Sequence, residues 1–561
     1  MNYTEYKAIL YTFSKKEIID FLGEKIYNSI IEWTSSDDAY TKGTLIDILV
    51  SNNGFTLFKN KQFRQRFFKS VSYNDLQLLL GDFTSSYEEL ASNAAKIDFK
   101  NSEFYLNLFD KVLKCPEYQF DDNVIESKLE EIHGTTEKFY ELLDYQYLIK
   151  QQVVYELSKP GPLGRRVLVH MPTGTGKTKT TMHILSYYFN FLADENSYVL
   201  WIAHTNVLLN QALETFKNVW GHLGLSNVNV EKSWGQGDYF LQNGILFITI
   251  QALQTLKRLD KNKYDEICNR TTLVVYDECH KIGASETNQV VNDLLKPSSI
   301  TKKHFIGLTA TPGRSTDYSV ENRIFNEFFN RKITIDIPTI ERISKGAIAA
   351  QNISNTTDII KYFQDRNILS VLEKEVLDYE VDENILKEIK KQINSDSLDE
   401  FTPKLLEKIA NNKARNSVIL NRLKELYSQN KPTIVFACSV AHAQMLSAFL
   451  NIENIPNALV YGKMPNSVRK KAIESFKDKN NPINIIINFD ILTTGFDSTN
   501  IECVFITRPT KSIILYSQMI GRGLRGKQMG GSETCKLIDV KENLEIYNEN
   551  EAFSHFDSYW R

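Results

Sequence analysis

Short apolar runs alternate with helix-like stretches throughout the chain beyond residue 134. Five such runs come first: RRVLVH (165–170), YVLWIAH (198–204), ILFITI (245–250), TLVVYD (272–277) and HFIGLTA (304–310). Four more come later: TIVFACS (433–439), NALVYG (457–462), INIIINFD (483–490) and IECVFIT (501–507). Alternation of strands and helices is typical of parallel sheets with helices on both faces. The pattern predicts an α/β fold with two parallel-sheet units.

The remaining segments have a helical character. Residues 1 to 134 look mostly helical, beginning with a capping box from Ser14 to Glu17 that opens an amphipathic run to Trp33. Residues 336 to 415 are charged and poor in strand-like runs. We therefore predict four segments: an N-terminal helical accessory domain (1–134), a first α/β domain (135–335), a helical linker or insertion (336–415) and a second α/β domain (416–561).

One N-terminal segment, KNKQFRQRFFK (59–69), mixes basic residues with three phenylalanines. Such a mixture can stack on bases and contact phosphates. It is also what an amphipathic helix shows when its aromatic side chains face a core. We favour the core interpretation because amphipathic helices produce this pattern routinely.

Composition narrows the class of protein. The chain has 561 residues, 42% of them hydrophobic and 24% charged, and its net charge of −3 gives no overall basic field. The six cysteines are scattered without a C-x-x-C pair, which argues against structural zinc and a disulfide framework. With no apolar run near 18 residues and a polar N-terminus, we expect a cytoplasmic protein without a membrane span.

The segment MPTGTGKT (171–178) follows a predicted strand and precedes a predicted helix. It matches the phosphate-loop pattern G-x-x-x-x-G-K-[ST], except that Met171 stands in the first glycine position. Backbone amides from Gly174 to Thr178 can converge on phosphate oxygens, Lys177 can reach the β- and γ-phosphates, and Thr178 can bind Mg²⁺. The sequence therefore predicts a nucleoside triphosphate site.

A pair of carboxylates, Asp277 and Glu278, ends the predicted strand TLVVYD. The carboxyl ends of parallel strands face the ligand crevice of an open sheet. Nucleotide hydrolysis needs one carboxylate to hold hydrated Mg²⁺, for which we name Asp277, and a base for the attacking water, for which we name Glu278.

A second glycine pattern, G-x-G-x-x-G, occurs in QMIGRGLRG (518–526), and Asp539 comes after it at roughly the distance of a ribose-binding carboxylate. Dinucleotide binding requires a strand directly before the first glycine. The preceding run SIILYSQM (512–519) has helix-like spacing instead, so we disfavour that interpretation.

Taken in order, PTGTGKT, DECH (277–280), TAT (309–311) and QMIGRGLRG resemble the motifs of superfamily 2 helicases and translocases. LLDYQ (142–146), AHTNVLLNQ (203–211), ITIQAL (248–253) and TTGFD (493–497) look like further motifs of that family. The residues that make up these motifs are most similar to those of the branch that contains XPB-type repair helicases and the motor subunits of type I and III restriction enzymes. The resemblance implies two tandem RecA-like domains, ATP and Mg²⁺ as cofactors, and a nucleic acid as partner. Cys279 stands where the family's DEAH motif has alanine.

The resemblance also implies roles for individual residues. Gln518, Arg522 and Arg525 would act across the cleft on nucleotide held by the first domain. Nucleotide contacts are implied for Gln146, Pro172, Thr173, Gly174, Thr175, Gly176, Lys177, Thr178, Gly495 and Asp497. Contacts with the sugar-phosphate backbone of a nucleic acid are implied for Thr205, Thr249, Gln251, Ser439, Thr493 and Thr494.

Three functions stay open: a motor on DNA, a motor on RNA, and a nucleotide-gated sensor or scaffold. The branch resembled favours DNA in a repair, restriction or antiviral-defence setting. A metal-nuclease pattern, Asp110 with Glu126 and Lys128, is disfavoured because VIESKLEEI (124–132) reads as a helix. Since the chain ends soon after Gly526, we expect any cutting or signalling to come from a partner nuclease or effector. Oligomeric state is not fixed by the sequence.

Overall fold

The computed structural model describes residues 3–33, 41–116, 128–134, 141–160, 164–194, 197–233, 243–283, 285–296, 302–310, 328–334, 359–393, 400–462, 464–493, 496 and 498–542. Within them, a helical N-terminal region precedes two sheets dominated by parallel strands, as the sequence predicts. No helix in this described part of the chain is both long and apolar enough to cross a membrane.

The N-terminal region packs its helices around an aromatic core. Its helices are α1 (Thr4–Leu10), α2 (Lys15–Leu22), α3 (Glu24–Trp33), α4 (Lys42–Asn53), α5 (Lys61–Phe68), α6 (Tyr73–Leu80), α7 (Tyr87–Lys96) and α8 (Ser102–Asn107). The capping box is confirmed, with Glu17 N–H donating to Ser14 Oγ at 3.1 Å and Ser14 N–H donating to Glu17 Oε2 at 2.6 Å. The predicted run to Trp33 is split at Gly23, whose φ of +96° ends α2.

The core interpretation of residues 59–69 is confirmed. Phe63, Phe67 and Phe68 are fully buried in the N-terminal core, on the inner face of α5. Arg66 lies over the ring of Phe13 and donates to the Glu17 carboxylate at 2.7 Å. The aromatic side chains of this segment are therefore not displayed to solvent as stacking platforms.

The first α/β domain contains a sheet with the order β1-β4-β5-β3-β6-β7-β2-β8 among the described residues, parallel throughout except for the β1–β4 pair. Its strands are β1 (Lys128–Ile132), β2 (Arg166–His170), β3 (Tyr198–Ala203), β4 (Val228–Ser233), β5 (Gly244–Thr249), β6 (Thr271–Asp277), β7 (His304–Thr309) and β8 (Arg331–Thr334). Its helices are α9 (Asp144–Ser158), α10 (Lys177–Tyr187), α11 (Asn206–Leu223), α12 (Ile250–Leu259), α13 (Lys261–Arg270) and α14 (Ser285–Leu294).

The second α/β domain contains a parallel sheet with the order β11-β12-β10-β13-β14-β9 in the described part of the chain. Its strands are β9 (Val371–Leu377), β10 (Thr433–Phe436), β11 (Ala458–Tyr461), β12 (Ile485–Phe489), β13 (Cys503–Ile506) and β14 (Thr534–Val540). The helices of this part are α15 (Ile359–Asp365), α16 (Glu383–Ile393), α17 (Pro403–Ala410), α18 (Lys413–Ser428), α19 (Val440–Ile452), α20 (Asn466–Lys477) and α21 (Ile513–Ile520).

Two segments expected to be helical contain strands. β1 lies inside VIESKLEEI, so the helix interpretation of residues 128–132 is wrong; Glu126 lies outside the described residues. β9 lies inside the segment expected to be a helical linker and pairs in register with β14. Both are charged strands at sheet edges, where one face contacts solvent, so neither needs the apolar run by which a central strand is recognised.

The N-terminal helices rest on the second α/β domain. Asn451 of α19 donates to Ser51 Oγ at 2.9 Å, and the Tyr461 hydroxyl donates to the Asn52 carbonyl at 2.8 Å. Ala448 of α19 is buried within the N-terminal core. These contacts attach the N-terminal region to α19 and β11, the elements that flank one edge of the second sheet.

Candidate functional site

The loop between β2 and α10 has the geometry of an anion cradle. Gly174 and Gly176 have φ values of +86° and +81°, a conformation that residues with a Cβ adopt at a cost. The Thr175 hydroxyl is buried and donates to the Pro172 carbonyl at 2.8 Å, which closes the loop on itself. The first backbone N–H groups of a helix lack helical partners and carry partial positive charge. The loop therefore presents amides at the start of α10, where anions are bound.

Lys177 stands at the first position of α10 with its ammonium inside the loop. Its Nζ donates to the carbonyls of Met171 at 3.1 Å and Pro172 at 3.5 Å. Burial lowers the pKa of Lys177, while the carboxylates of Glu278 and Asp277 oppose that change. The ammonium thus lies between the loop and the carboxylate pair, and Thr178 is the next residue in the first helical turn.

The carboxylate pair ends β6, and its two members differ in environment. Asp277 is 6% exposed and accepts a hydrogen bond from Glu278 N–H at 3.0 Å. Burial raises the pKa of Asp277 to about 7, and the charge of Glu278 adds to the rise. Burial alone would raise the pKa of Glu278, but the hydrogen bond and charge of His280, together with the charges of Lys177 and Arg522, outweigh burial and hold that pKa below its usual range. Glu278 is therefore the member that stays ionised.

Strand order brings the motifs of the first sheet together. Because β7 lies between β6 and β2, Thr309 stands between the carboxylate pair and the phosphate loop. Its carbonyl accepts from Met171 N–H at 3.2 Å, and its hydroxyl lies 3.3 Å from His280 Nδ1. The same nitrogen lies 3.3 Å from Glu278 Oε2. Thr311, the last residue of TAT, lies outside the described residues.

Gln146 lies behind the phosphate loop. It is 1% exposed, and its Nε2 donates to the Thr175 carbonyl at 2.9 Å. Its Oε1 accepts from Leu143 N–H at 3.0 Å, and the neighbouring Tyr145 hydroxyl donates to the same Thr175 carbonyl at 2.7 Å. The Gln146 amide therefore bonds to the phosphate loop through its nitrogen and to the start of α9 through its oxygen. The family resemblance implies a contact with the adenine base instead.

The second domain contributes its glycine-rich loop to the same cleft. The first glycine follows helix α21 and not a strand, so the disfavoured dinucleotide interpretation fails on structure as well. Asp539 is buried and accepts from the Tyr516 hydroxyl at 2.7 Å, inside the second domain. A Cβ on Gly521 would lie 2.7 Å from Thr173 Cβ, so this glycine allows the loop of the second domain to touch the phosphate loop.

The two arginines of that loop occupy different positions. Arg522 donates to the carbonyls of Phe496 at 2.6 Å and Thr493 at 2.8 Å, and its charge helps to lower the pKa of both Lys177 and Glu278. Arg525 lies against the phosphate loop, with its Cγ 3.8 Å from the position a Cβ would take on Gly174. Gln518 lies on α21, where its carbonyl accepts from Arg522 Nε at 3.3 Å. Arg522, Arg525 and the phosphate loop therefore meet in one cleft, and Gln518 contacts Arg522 through its main chain.

Four of the hydroxyls predicted to contact nucleic acid lie at or just after the carboxyl ends of strands, and three of these cap the next helix. Thr205 comes after β3, Thr249 ends β5, and Ser439 comes after β10. Each accepts a hydrogen bond from a backbone N–H in the first turn of that helix, at 3.3, 3.1 and 3.1 Å respectively. Thr493 comes after β12, and its hydroxyl donates to the Asp490 carbonyl at 2.5 Å. Gln251 is exposed on α12, whereas Thr494, Gly495 and Asp497 lie outside the described residues.

One set of contacts beside the cleft has no signal in the sequence. Arg366, which comes directly after α15, donates to both carboxylate oxygens of Asp144 at 2.8 and 2.7 Å. Four residues later, the Ser370 hydroxyl donates to the Arg525 carbonyl at 2.6 Å. Neither Arg366 nor Ser370 belongs to a recognisable motif, and Arg366 and Asp144 are 222 positions apart in the chain.

The arrangement suits a metal-bound nucleoside triphosphate. A threonine hydroxyl and a carboxylate are oxygen ligands of the kind that Mg²⁺ takes, usually one or two from protein with phosphates and water completing the shell. Thr178, which follows Lys177 in α10, and Asp277, whose charge acts on Lys177, would supply that pair. In the described part of the chain, no cluster of three or more histidine, cysteine or carboxylate side chains forms a closed metal cage. The residues fit a metal shared with phosphate.

Two family models match the chain. "Type III restriction enzyme, res subunit" matches residues 139–314, and "Helicase conserved C-terminal domain" matches residues 418–527. The candidate ATP-dependent helicase IRC3 of Saccharomyces cerevisiae is 27% identical over 381 residues, which cover 67% of this chain and 48% of that protein. The type I restriction enzyme EcoAI endonuclease subunit of Escherichia coli is 23% identical over 395 residues, covering 68% of this chain and 44% of the subunit. The chain thus spans about half the length of these curated relatives.

Among solved structures, a fragment of an HsdR subunit of a type I restriction enzyme from Vibrio vulnificus aligns with 73% of this chain and 66% of its own, at 18% identity and a TM-score of 0.45.

Proposed function

Because the chain belongs to the superfamily 2 helicases and is related to the motor subunits of restriction enzymes, we propose that it hydrolyses ATP to move along DNA. One observation carries the proposal. The phosphate loop and carboxylate pair of the first sheet meet the Arg522 and Arg525 loop of the second sheet in one cleft. Hydrolysis that depends on both domains can be converted into relative domain motion.

The residues of the cleft divide the chemistry between them. Loop amides and Lys177 would hold the phosphates, Thr178 and Asp277 would hold Mg²⁺, and Glu278 would orient the attacking water and accept its proton. Bound Mg²⁺ neutralises charge on the phosphates. Arg522 and Arg525 stabilise the negative charge of the transition state, and such arginines contribute about 10³ to 10⁵ in rate in related systems. Gln518 lines the same interface, and Gly495 and Asp497 are its proposed nucleotide neighbours on the second domain.

Movement along a nucleic-acid strand requires that each domain bind the strand at a contact site of its own, here called a grip. We assign Thr205, Thr249 and Gln251 to the first domain's grip, and Ser439, Thr493 and Thr494 to the second. The positions of Thr205, Thr249, Ser439 and Thr493 at or just after strand ends support this assignment, since parallel sheets bind ligands at that edge. Closing of the cleft on ATP and its relaxation after hydrolysis would change the distance between the grips. The motor comprises segments 135–335 and 416–561, extended by β1 and β9, with the N-terminal helices attached to the second domain.

We favour DNA over RNA because restriction-enzyme subunits are among the relatives that align with two thirds of the chain. A motor on RNA is the second candidate, supported by RNA helicases that align with 19–23% of it. ATP turnover measured with single-stranded DNA, duplex DNA and RNA as stimulants separates the two, with Lys177→Ala as the inactive control. Stronger stimulation by DNA supports the proposal; stimulation by RNA alone contradicts it. ATP binding without turnover would favour the sensor or scaffold.

A cytoplasmic defence or repair setting, with a nuclease supplied by a partner, completes the proposal. Its support is the endonuclease-subunit relatives together with the two motor domains of this chain. Purification of the Glu278→Gln protein, which should retain ATP, from its native cells would recover the partner. Recovery of a nuclease that cuts DNA only with this chain and ATP supports this part of the proposal, and recovery of the chain alone contradicts it.

A further inference from the structure

The segment from Ile359 to Val371, here called the linker strap, contacts both halves of the cleft. Its first half packs on the first domain, where the Phe363 ring lies 5.0 Å from that of Tyr145, edge to face. Phe363, Ile368 and Leu369 are buried in the core of the first domain. The Arg366 guanidinium also binds the Asp144 carboxylate through two hydrogen bonds, at 2.7 and 2.8 Å. The strap is thus fixed to α9, the helix that carries Gln146.

The second half of the strap is bonded to the loop that carries Arg525. Ser370 N–H donates to the Leu524 carbonyl at 3.0 Å, and Gly526 N–H donates to the Ile368 carbonyl at 3.0 Å. The Ser370 hydroxyl donates to the carbonyls of Arg525 at 2.6 Å and Ser532 at 2.8 Å. Leu369 forms an antiparallel bridge with Arg525. The backbone on both sides of this arginine is therefore held by the strap.

The strap also touches the phosphate loop directly. Leu369 Cδ2 lies 3.5 Å from the position of a Cβ on Gly174, beside Arg525 Cγ at 3.8 Å. A Cβ on Gly526 would lie 2.5 Å from the Asn367 carbonyl carbon, so only glycine permits this approach. Asp144, Arg366 and Arg525 are therefore linked through a few covalent bonds and main-chain hydrogen bonds, without a flexible segment between them.

We propose that Arg366 and Asp144 are positioning residues that set the placement of Arg525 against the phosphate loop. This inference rests on the proposed hydrolysis at that cleft. Arg366 Nη2 donates to both oxygens of the Asp144 carboxylate, and Nη1 donates to the Tyr362 hydroxyl on α15. Because the guanidinium is planar and is held at two of its nitrogens, the contact fixes both its distance and its orientation. Loss of the pair leaves the strap held on its first-domain side by the packing of Phe363, Ile368 and Leu369, which fixes its orientation less closely, while its bonds to the Arg525 loop persist. The arginine then samples positions too far from the transferring phosphate.

Four variants test the pair: Asp144→Ala, Arg366→Ala, the double alanine variant, and the charge swap Asp144→Arg with Arg366→Asp. Displacement of a reacting group by about 1 Å can cost on the order of 100-fold in rate, so we expect kcat to fall about 10- to 100-fold in each single variant. ATP affinity should stay within about threefold, since the phosphate loop is untouched. The double alanine variant should resemble the singles, and the charge swap should recover at least part of kcat.

The matched control is Lys361→Ala. It removes an ion pair with Asp365 on the exposed face of the same helix, with Nζ and Oδ1 3.2 Å apart, and should leave kcat unchanged. Unchanged kcat in both single variants would overturn the inference. So would parallel loss of kcat, ATP affinity and thermal stability without recovery in the charge swap, because that pattern describes a structural brace only.

Hydrogen exchange separates failure of this inference from failure of the proposed function. Amides of residues 521–533 should exchange faster in Asp144→Ala and Arg366→Ala than in wild type or Lys361→Ala, and this readout needs no turnover. A wild-type protein without ATPase activity but with this exchange pattern contradicts the proposed function and leaves the mechanical link supported. Active wild-type protein with unchanged exchange in the variants contradicts the link.

Discussion

Replacing Gln146 by alanine tests whether this side chain supports the phosphate loop or reads the base. The substitution removes three hydrogen bonds: Nε2 donates to the Thr175 carbonyl at 2.9 Å and to the Tyr145 hydroxyl at 3.2 Å, and Oε1 accepts from Leu143 N–H at 3.0 Å. The Thr175 carbonyl keeps its bond from the Tyr145 hydroxyl at 2.7 Å, whereas Leu143 N–H loses its partner at the start of α9. Support of the loop predicts a loss that does not depend on the base.

The magnitude comes from these contacts. The partly buried Leu143 N–H left without this partner costs about 1–3 kcal/mol, and the bonds lost by Nε2, whose two partners stay bonded to each other, about 1 kcal/mol more. A total of about 2–4 kcal/mol would be divided between fold stability and the order of the loop. Since about 1.4 kcal/mol corresponds to tenfold in affinity, we expect nucleotide affinity to weaken by about 10- to 30-fold. The factor should be the same for ATP and GTP within about twofold, because neither base contacts a residue 1% exposed behind the loop.

The assay is equilibrium binding of fluorescent ATP and GTP analogues to wild type, Gln146→Ala and Gln146→Glu. Glutamate keeps the acceptor for Leu143 N–H but places an oxygen against the Thr175 carbonyl, so it should weaken both nucleotides as well. Gln151→Ala, an exposed glutamine on the same helix, is the matched control and should bind both normally. A selective loss of ATP with GTP binding intact would refute the reasoning and restore the base-reading role.

Three other predictions address the cleft, the substrate and the fold. Lys177→Ala should abolish turnover together with tight nucleotide binding, whereas Glu278→Gln should bind ATP and fail to hydrolyse it; undiminished turnover in Glu278→Gln would remove the base assignment. Binding to DNA should be independent of sequence, and log K should fall steeply with log salt, so a flat titration would argue against backbone contacts. Burial lowers the pKa of His304 to about 4, and its Nδ1 accepts from Arg165 N–H. Because the unfolded imidazole protonates near about 6.5, the free energy of unfolding should fall as pH drops from about 6.5 to about 4, and His304→Asn should flatten that slope in urea titrations.

The central strands can be predicted from the sequence because they are buried on both faces. Strands such as β3 and β5 are apolar at nearly every position, so the signal does not depend on the fold around them. β1 and β9 carry several charges, and their local sequence predicts helix. Their strand conformation comes from pairing with β4 and β14, which no local pattern in KLEEI or VLEKEVL encodes.

In the candidate site too, some parts can be predicted from the local sequence and others cannot. The phosphate loop and carboxylate pair can be predicted because their glycines, lysine and acids are consecutive and come directly after strands. The contacts of Gln146 with Thr175, and of Arg366 with Asp144, are tertiary and join residues 29 and 222 positions apart. The sequence also does not distinguish a threonine that caps a helix from one that contacts phosphate, because both roles use the same hydroxyl. Thr205 and Thr249 cap helices in this structure, and their nucleic-acid contacts stay predictions.

The most direct test of hydrolysis at an interdomain cleft is the comparison of kcat and ATP affinity in Arg525→Ala. Arg525 belongs to the second domain, and its side chain lies against Gly174 of the first. If it acts on the transition state, DNA-stimulated kcat should fall by about 10³-fold or more while ATP affinity changes little. Loss of ATP binding with unchanged turnover at saturating ATP would contradict the account, because Arg525 would then contribute to binding of the nucleotide and not to its hydrolysis.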